Sequence, residues 1–170
     1  IEFEIDNNQK PIISIITPYY NSQKYIEETA NSILNQTFPY WEWVIIDDGS
    51  PDEEAKQKLK EIEKMDNRIR VLHKENGGTA AARDYGIEKS NESSKYIMFL
   101  DSDDVIDKTY LECCYWTLET NPKASWTYTD TINFDGKEFL WRKWYNPDWE
   151  LDENILTVTP MIKKEDLKEV

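Results

Sequence analysis

Three carboxylates, Asp101, Asp103 and Asp104, stand within four residues, directly after the apolar run Ile97-Met98-Phe99-Leu100. A second acidic pair, Asp47-Asp48, closes the apolar run WEWVIID (41–47) and leads into Gly49-Ser50. Like charges repel, so this much negative charge beside runs suited to burial calls for a counterion. Carboxylates at positions i and i+2 of an extended segment point to the same side. One or two such oxygens are what magnesium or manganese takes from a protein when phosphates fill the rest of its shell. A single D-x-D is short and common, and alone it reads as a solvated acidic turn before a helix. Its place at the end of an apolar run, with a second Asp-Asp at the end of another, asks for a closer reading.

The elements that must position these groups follow from hydrophobic periodicity. PIISIIT (11–17) is a short β-rich run, read as a buried strand. In KYIEETANSILNQ (24–36), Ile26, Ala30, Ile33 and Leu34 fall on one helix face. WEWVIID (41–47) is a second strand. Ser50 is placed to cap the next helix, with Pro51 in its first turn, Asp52, Glu53 and Glu54 near its positive end, and Ala55, Leu59 and Ile62 facing inward. RIRVLH (68–73) is a third strand, 79–90 a helix entered through Gly77-Gly78, YIMFL (96–100) a fourth strand, and 108–120 a helix. Repeated βαβ units imply a parallel sheet covered on both faces. After about residue 123 the pattern fades. There, 124–134 and 137–144 read as a hairpin turning at Asp135-Gly136.

In such a sheet, ligands bind beyond the carboxyl ends of the strands. The first strand ends in Thr17-Pro18-Tyr19-Tyr20-Asn21, the second in Asp47-Asp48-Gly49-Ser50, the fourth in Asp101-Ser102-Asp103-Asp104. All three polar clusters are therefore expected on one rim.

Composition sets the outer limits. A chain of 170 residues suits one domain with a real core. Acidic residues outnumber basic ones 34 to 20, and a net charge of −14 argues against nucleic acid as partner while suiting a metal cation or a neutral sugar. No run of eighteen apolar residues and no basic-then-apolar leader is visible, so a cytoplasmic setting is expected, free or peripheral to the inner face of the membrane, with membrane contact only through parts not in this sequence. Cys113 and Cys114 are sequence neighbours, which suits neither a loop-closing disulfide nor zinc, and they read as thiols of a reducing compartment. His73 is the sole histidine, so a histidine-metal cluster is excluded.

Three blocks, 13–52 (ISIITPYYNSQKYIEETANSILNQTFPYWEWVIIDDGSPD), 75–87 (ENGGTAAARDYGI) and 96–104 (YIMFLDSDD), together resemble family 2 glycosyltransferases of the GT-A fold. They come in the family's order and spacing and cover most of residues 12–120. The resemblance implies an α/β fold, a Rossmann-like, mostly parallel sheet flanked by helices, with a C-terminal hairpin and aromatic segment. It implies that Pro18 and Tyr20 pack on the nucleotide base and that Asp48 reads that base, usually uracil, through its ring N–H. An acceptor-only carboxylate suits an imide donor. Asp47 is left to brace the turn. The same resemblance brings Asn76, Gly77 and Gly78 near the nucleotide, and places Arg83 either on a phosphate or on Asp101. Ala80-Ala81-Ala82 reads as close helix-sheet packing. Asp84, where the family often has Asn, is an added charge. Asp101 then faces ribose or donor sugar, Ser102 lies beside the phosphates, Asp103 binds Mn2+ or Mg2+, and Asp104 starts the following turn. The implied reaction moves a sugar, with inversion, from a nucleoside diphosphate, UDP by preference, to a hydroxyl on a glycan, lipid or protein.

The catalytic base of this family lies in a later acidic segment, expected beyond Val170. Residues 1–170 are thus expected to form a single domain, with a nucleotide-binding core at 12–120 and an incomplete acceptor side at 121–170. Glu165-Asp166 reads as a helix start. The aromatics Trp126, Tyr128, Phe134, Phe139, Trp141, Trp144, Tyr145 and Trp149 read as hydrophobic cover, with a sugar platform as the other option. Three rivals stand beside this reading. A receiver-like phosphoacceptor module wants its acidic pair after the first strand. A nucleotidyltransferase wants a Gly-rich basic loop there. A non-catalytic nucleotide-sugar-binding fragment would keep the fold without the base.

Overall fold

A computed structural model describes residues 9–133, 139–141 and 159–168 of the chain. Four βα units come first: β1 (Ile13–Tyr19), α1 (Ile26–Leu34), β2 (Trp41–Asp47), α2 (Glu53–Glu63), β3 (Ile69–His73), α3 (Gly78–Lys89), β4 (Tyr96–Phe99) and α4 (Tyr110–Thr120). Short strands follow: β5 (Trp126–Thr127), β6 (Thr131–Asn133), β7 (Phe139–Trp141) and β8 (Met161–Lys163), then a 3-10 turn at Asp166–Lys168. One six-stranded sheet runs β3-β2-β1-β4-β8-β5. Its first four strands are parallel, as the repeated βαβ pattern requires, and β8 joins β4 antiparallel. The architecture is the mostly parallel α/β sheet expected.

Both faces are covered, though unequally. Ile13, Ile15, Trp43 and Ile45 pack with the inner faces of α1, α2 and α4 in one large core. Val44 and Ile46 meet Ala82 of α3 on the other face. Strands buried on both sides read as continuous apolar runs because neither set of alternating side chains meets water. The indole N–H of Trp43 is satisfied inside the core by the Thr17 hydroxyl at 2.8 Å. Close approach of α3 depends on Gly86, where an added Cβ would lie 2.3 Å from Ile16 Cγ2. Of the three alanines expected at this contact, only Ala82 is buried and Ala80 is exposed, because the helix turns the first of them outward.

Two local expectations are corrected. Asp52, not Ser50, is the N-cap of α2: its carboxylate accepts from the Glu54 amide at 2.9 Å, while the Ser50 hydroxyl accepts from the Asn21 amide at 3.1 Å. The hairpin is shorter than expected. Thr131–Asn133 pairs with Phe139–Trp141, while Trp126–Thr127 joins the main sheet against β8. The turn at Asp135-Gly136, and Phe134, Trp144, Tyr145 and Trp149, lie outside the described residues. β8 itself was not foreseen. Cys113 and Cys114 are free thiols, and burial pushes the Cys114 thiol up to about 12.

Register brings the strand ends level. Tyr19 pairs with Asp47, and Asp47 pairs with His73. On the other side of β1, Phe99 is level with Ile16, and the Leu100 amide donates to the Ile16 carbonyl at 3.1 Å. The segment after β4 therefore emerges beside Thr17-Pro18, on the same rim as Asp48.

Candidate active site

That rim carries a cleft of about 240 Å³ lined by Pro18, Tyr20, Asp48, Asp101, Ser102 and Asp103, with Tyr19, Ser22 and Thr79 beside them. Residues far apart in sequence thus meet in one place, as the strand-end reading required. Among the described residues a larger cavity, about 690 Å³, lies at the opposite end of the strands, between the start of β4 and the end of β8. It contains none of the carboxylates at issue, so the smaller cleft is the chemical candidate.

Asp48 is almost wholly buried, and its carboxylate is densely bonded. Oδ1 accepts from Lys74 Nζ at 2.6 Å and from the Gly77 amide at 3.0 Å; Oδ2 accepts from the Gly78 amide at 2.7 Å. The side chain at the end of β2 therefore caps the start of α3, where amides are unpaired and the helix dipole favours an anion. Burial alone would raise the Asp48 carboxyl. The bonds from Lys74, Gly77 and Gly78, with the Lys74 charge, outweigh it and hold the group below the ordinary carboxylate range. Asn76 ties the same turn down by donating its side-chain amide to the Asp48 carbonyl at 2.9 Å. Gly49, with φ +76°, permits this crossing, since a Cβ there would sit 2.9 Å from the Asn76 nitrogen. Asp47 braces the turn as expected, accepting from the Ser50 amide at 3.0 Å, and its other oxygen lies 2.9 Å from His73 Nδ1.

On the facing side, Arg83 Nη2 donates to Asp101 Oδ1 at 2.7 Å, so of its two expected roles the structure shows the ion pair. Ser102 is buried, and its carbonyl is held by the Thr29 hydroxyl of α1 at 3.1 Å. Asp103 is exposed at the cleft and makes no hydrogen bond or ion pair among the described residues. Asp104 turns back from it, its amide bonded to the Asp101 carbonyl at 3.2 Å. Burial, then the charges of Asp101 and Asp103, pushes the Asp104 carboxyl up to about 6. Tyr20 is half exposed at the cleft mouth, and Asp84 is exposed on the outer face of α3.

Among the described residues no group of three or more His, Cys, Asp or Glu side chains forms a metal cage. A hard cation here would draw one or two carboxylate oxygens from Asp103 and its neighbour Asp101, and the remainder from ligand and water. That all-oxygen donor set fits magnesium or manganese and does not suit zinc. Sequence reasoning missed Lys74. The available signal was the pair His73-Lys74 at the exit of β3 beside the acidic pair Asp47-Asp48 at the exit of β2.

The model of the family described as "Glycosyl transferase family 2" matches residues 14–165. The glycosyltransferase TuaG of Bacillus subtilis is 45% identical over 106 residues, which cover 62% of this chain and 41% of TuaG. Glycosyltransferase GlyA of Streptococcus pneumoniae is 40% identical over 103 residues, covering 61% of this chain and 14% of GlyA. The crystal structure of residues 1–349 of S. aureus TarS in complex with UDP-GlcNAc superposes with a TM-score of 0.68 at 26% identity, covering 95% of this chain and 47% of that one. The chain spans less than half the length of each of these relatives. Among the described residues no helix is long and apolar enough to cross a membrane.

Proposed function

The chain belongs to glycosyl transferase family 2 and has its GT-A fold, and from that premise we propose that it binds a UDP-sugar and a divalent cation for inverting transfer to a hydroxyl acceptor. The observation that carries this reading is the meeting of Asp48, Asp101 and Asp103 with Pro18 and Tyr20 in one cleft. In this proposal Pro18 and the exposed ring of Tyr20 stack against the base. Asp48, kept ionised, accepts the ring N–H of uracil. A carboxylate offers about four acceptor sites, and three are taken, so one remains for a single N–H. Asn76 and Gly78 keep the turn beneath the base in place. Asp101, oriented by Arg83, faces the ribose or sugar, and Ser102 lies along the diphosphate.

Asp103 would hold Mn2+ or Mg2+, which when bound supplies Lewis-acid stabilisation of charge on the leaving diphosphate. The cleft carboxylates are then all committed: Asp48 to Lys74 and the base, Asp101 to Arg83, Asp103 to the cation. The base that deprotonates the acceptor is accordingly sought outside the described residues.

Calorimetric titration with UDP, GDP and CDP, with and without Mn2+, tests the reading. UDP is expected to bind best, and only with the cation present. Equal binding of the three nucleotides, or binding indifferent to Mn2+, would remove the support for a UDP-sugar donor held through Asp48 and Asp103.

A further inference from the structure

We propose that Lys74 is the positioning residue for base recognition, fixing the Asp48 carboxylate so that one acceptor site alone is offered to the cleft. The inference rests on the donor reading above and deepens it. Lys74 follows β3 directly, and its amide extends the ladder by donating to the Asp47 carbonyl at 3.0 Å. That register carries its side chain across the end of β2 to Asp48, where Nζ lies 2.6 Å from Oδ1 and 2.7 Å from the Glu75 carbonyl. The Lys74 side chain is only one-fifth exposed. It is also wedged against the turn, since a Cβ on Gly77 would sit 2.9 Å from Nζ. Lys74 is not among the residues lining the cleft, and its contact with the site runs through Asp48.

The consequence is selectivity. With Oδ1 holding two donors and Oδ2 one, the carboxylate can accept one further N–H but cannot rotate to present a second open site. A base with a ring N–H at its pairing edge satisfies that site. Cytosine, whose ring nitrogen there is an acceptor, meets an ionised oxygen and leaves both groups unpaired, which is the kind of mismatch that rejects strongly. Without Lys74 the carboxylate gains an open site and loses the cation that keeps it charged, so it can swing toward the exocyclic amine of cytosine or take up a proton. Among the described residues the other charged groups about Asp48 are Asp101, already paired with Arg83, and Asp103 across the cleft, with the Asp47–His73 pair beside it. These residues are the same in every protein compared.

The test titrates UDP and CDP into the wild-type chain, Lys74→Met, Lys74→Gln and Lys74→Arg at saturating Mn2+, from pH 5 to 8. Lys74→Met keeps the apolar stem and removes the charge; Lys74→Gln provides the comparison should that variant fold poorly. The expected result is a loss of about tenfold in UDP affinity for both neutral variants, with CDP nearly unchanged, so that the discrimination ratio collapses. UDP binding by the neutral variants should also weaken on acidification toward pH 5 more steeply than wild type, and Lys74→Arg should restore both ratio and profile. Neutral variants that keep the wild-type ratio and pH profile, or that lose UDP and CDP equally, would overturn the inference while leaving the donor reading intact. A wild-type chain that binds UDP no better than CDP would overturn the donor reading itself, and this inference with it.

Discussion

Gly86→Ala offers a test of how packing on the far side of a helix reaches the cleft. The added methyl would stand 2.3 Å from Ile16 Cγ2, and Ile16 is fully buried in β1. Apolar carbons settle at about 3.5–4.0 Å, so α3 must retreat by roughly 1 Å or Ile16 must leave its rotamer. Overpacking of this kind costs about 1–3 kcal/mol. Replacing an interior helix glycine by alanine returns about 1 kcal/mol, since alanine loses less backbone freedom. The net expectation is a destabilisation of about 0–2 kcal/mol, with a fall in Tm of about 2–4 °C for each kcal/mol in a chain of this size. The displacement also lands on the site, because the first turn of α3 supplies the Gly77 and Gly78 amides to Asp48 at 3.0 and 2.7 Å. A shift of roughly 1 Å takes such bonds beyond hydrogen-bonding range. Urea denaturation and UDP titration of the same preparations provide both readings. Combination with Ile16→Ala, which removes the clashing carbon, should show favourable coupling. A Gly86→Ala chain that is more stable by the full helix-propensity gain, with UDP affinity unchanged, would refute the close α3–β1 contact and its link to Asp48.

Asp103→Asn should leave UDP binding indifferent to Mn2+ in calorimetry, and a retained metal dependence would move the cation elsewhere. Thr17→Val keeps the side-chain shape but strands the buried indole N–H of Trp43, so unfolding free energy in urea should drop by about 1–3 kcal/mol; an unchanged midpoint would mean the bond contributes nothing. Asp66 is held by Arg68, whose side chain and amide bond it against the opposing effect of burial, and its carboxyl lies below the ordinary value. A depressed folded value gives stability that is present above the unfolded carboxyl range and lost as pH falls through the folded one. Asp66→Asn should therefore cost about 1 kcal/mol or less at pH 7, after solvent screening, and the gap from wild type should close on acidification below about pH 4. A gap of the same size at pH 3 would show that the ion pair is not its source.

The four βα units were legible because burial on both faces leaves a sheet strand few polar positions, and Trp41–Asp47 is buried at every residue, with only Glu42 and Asp47 polar. The shared rim followed from topology alone: parallel strands end on one side, and polar residues crowded there in three places. What was not legible depended on contacts between distant segments. Met161–Lys163 has no alternation and only three residues, and it is a strand because Tyr96–Met98 offers an open edge for pairing. Ser50 and Asp52 are both good caps by residue type, and only the path of the chain assigns Ser50 to the Asn21 amide and Asp52 to the helix. The alanine triplet looked like the close contact with the sheet, but helix phase gives that place to Ala82 and Gly86. The ion pairs of the rim were half visible: Arg83 with Asp101 was one of two options, and Lys74 with Asp48 went unread, because a basic residue after a strand ordinarily signals only a solvated loop.

Those ion pairs also bear on why a cation belongs in the proposed chemistry. Asp48, Asp101, Asp103 and Asp104 share the rim, and the cations bonded to them are Lys74 and Arg83. Each cation is paired with one carboxylate, which offsets its charge. The rim already carries surplus negative charge, and burial, then the charges of Asp101 and Asp103, raises the Asp104 carboxyl to about 6. A diphosphate approaching such a surface meets repulsion that the protein alone does not offset, and the overall charge of −14 adds to it. In the proposed chemistry, a divalent ion at Asp103 would offset that surplus and would let the diphosphate approach Ser102. On that proposal, the acidity that looks unfavourable in the sequence would act as selection, turning away a nucleotide without its cation and admitting the metal-bound one.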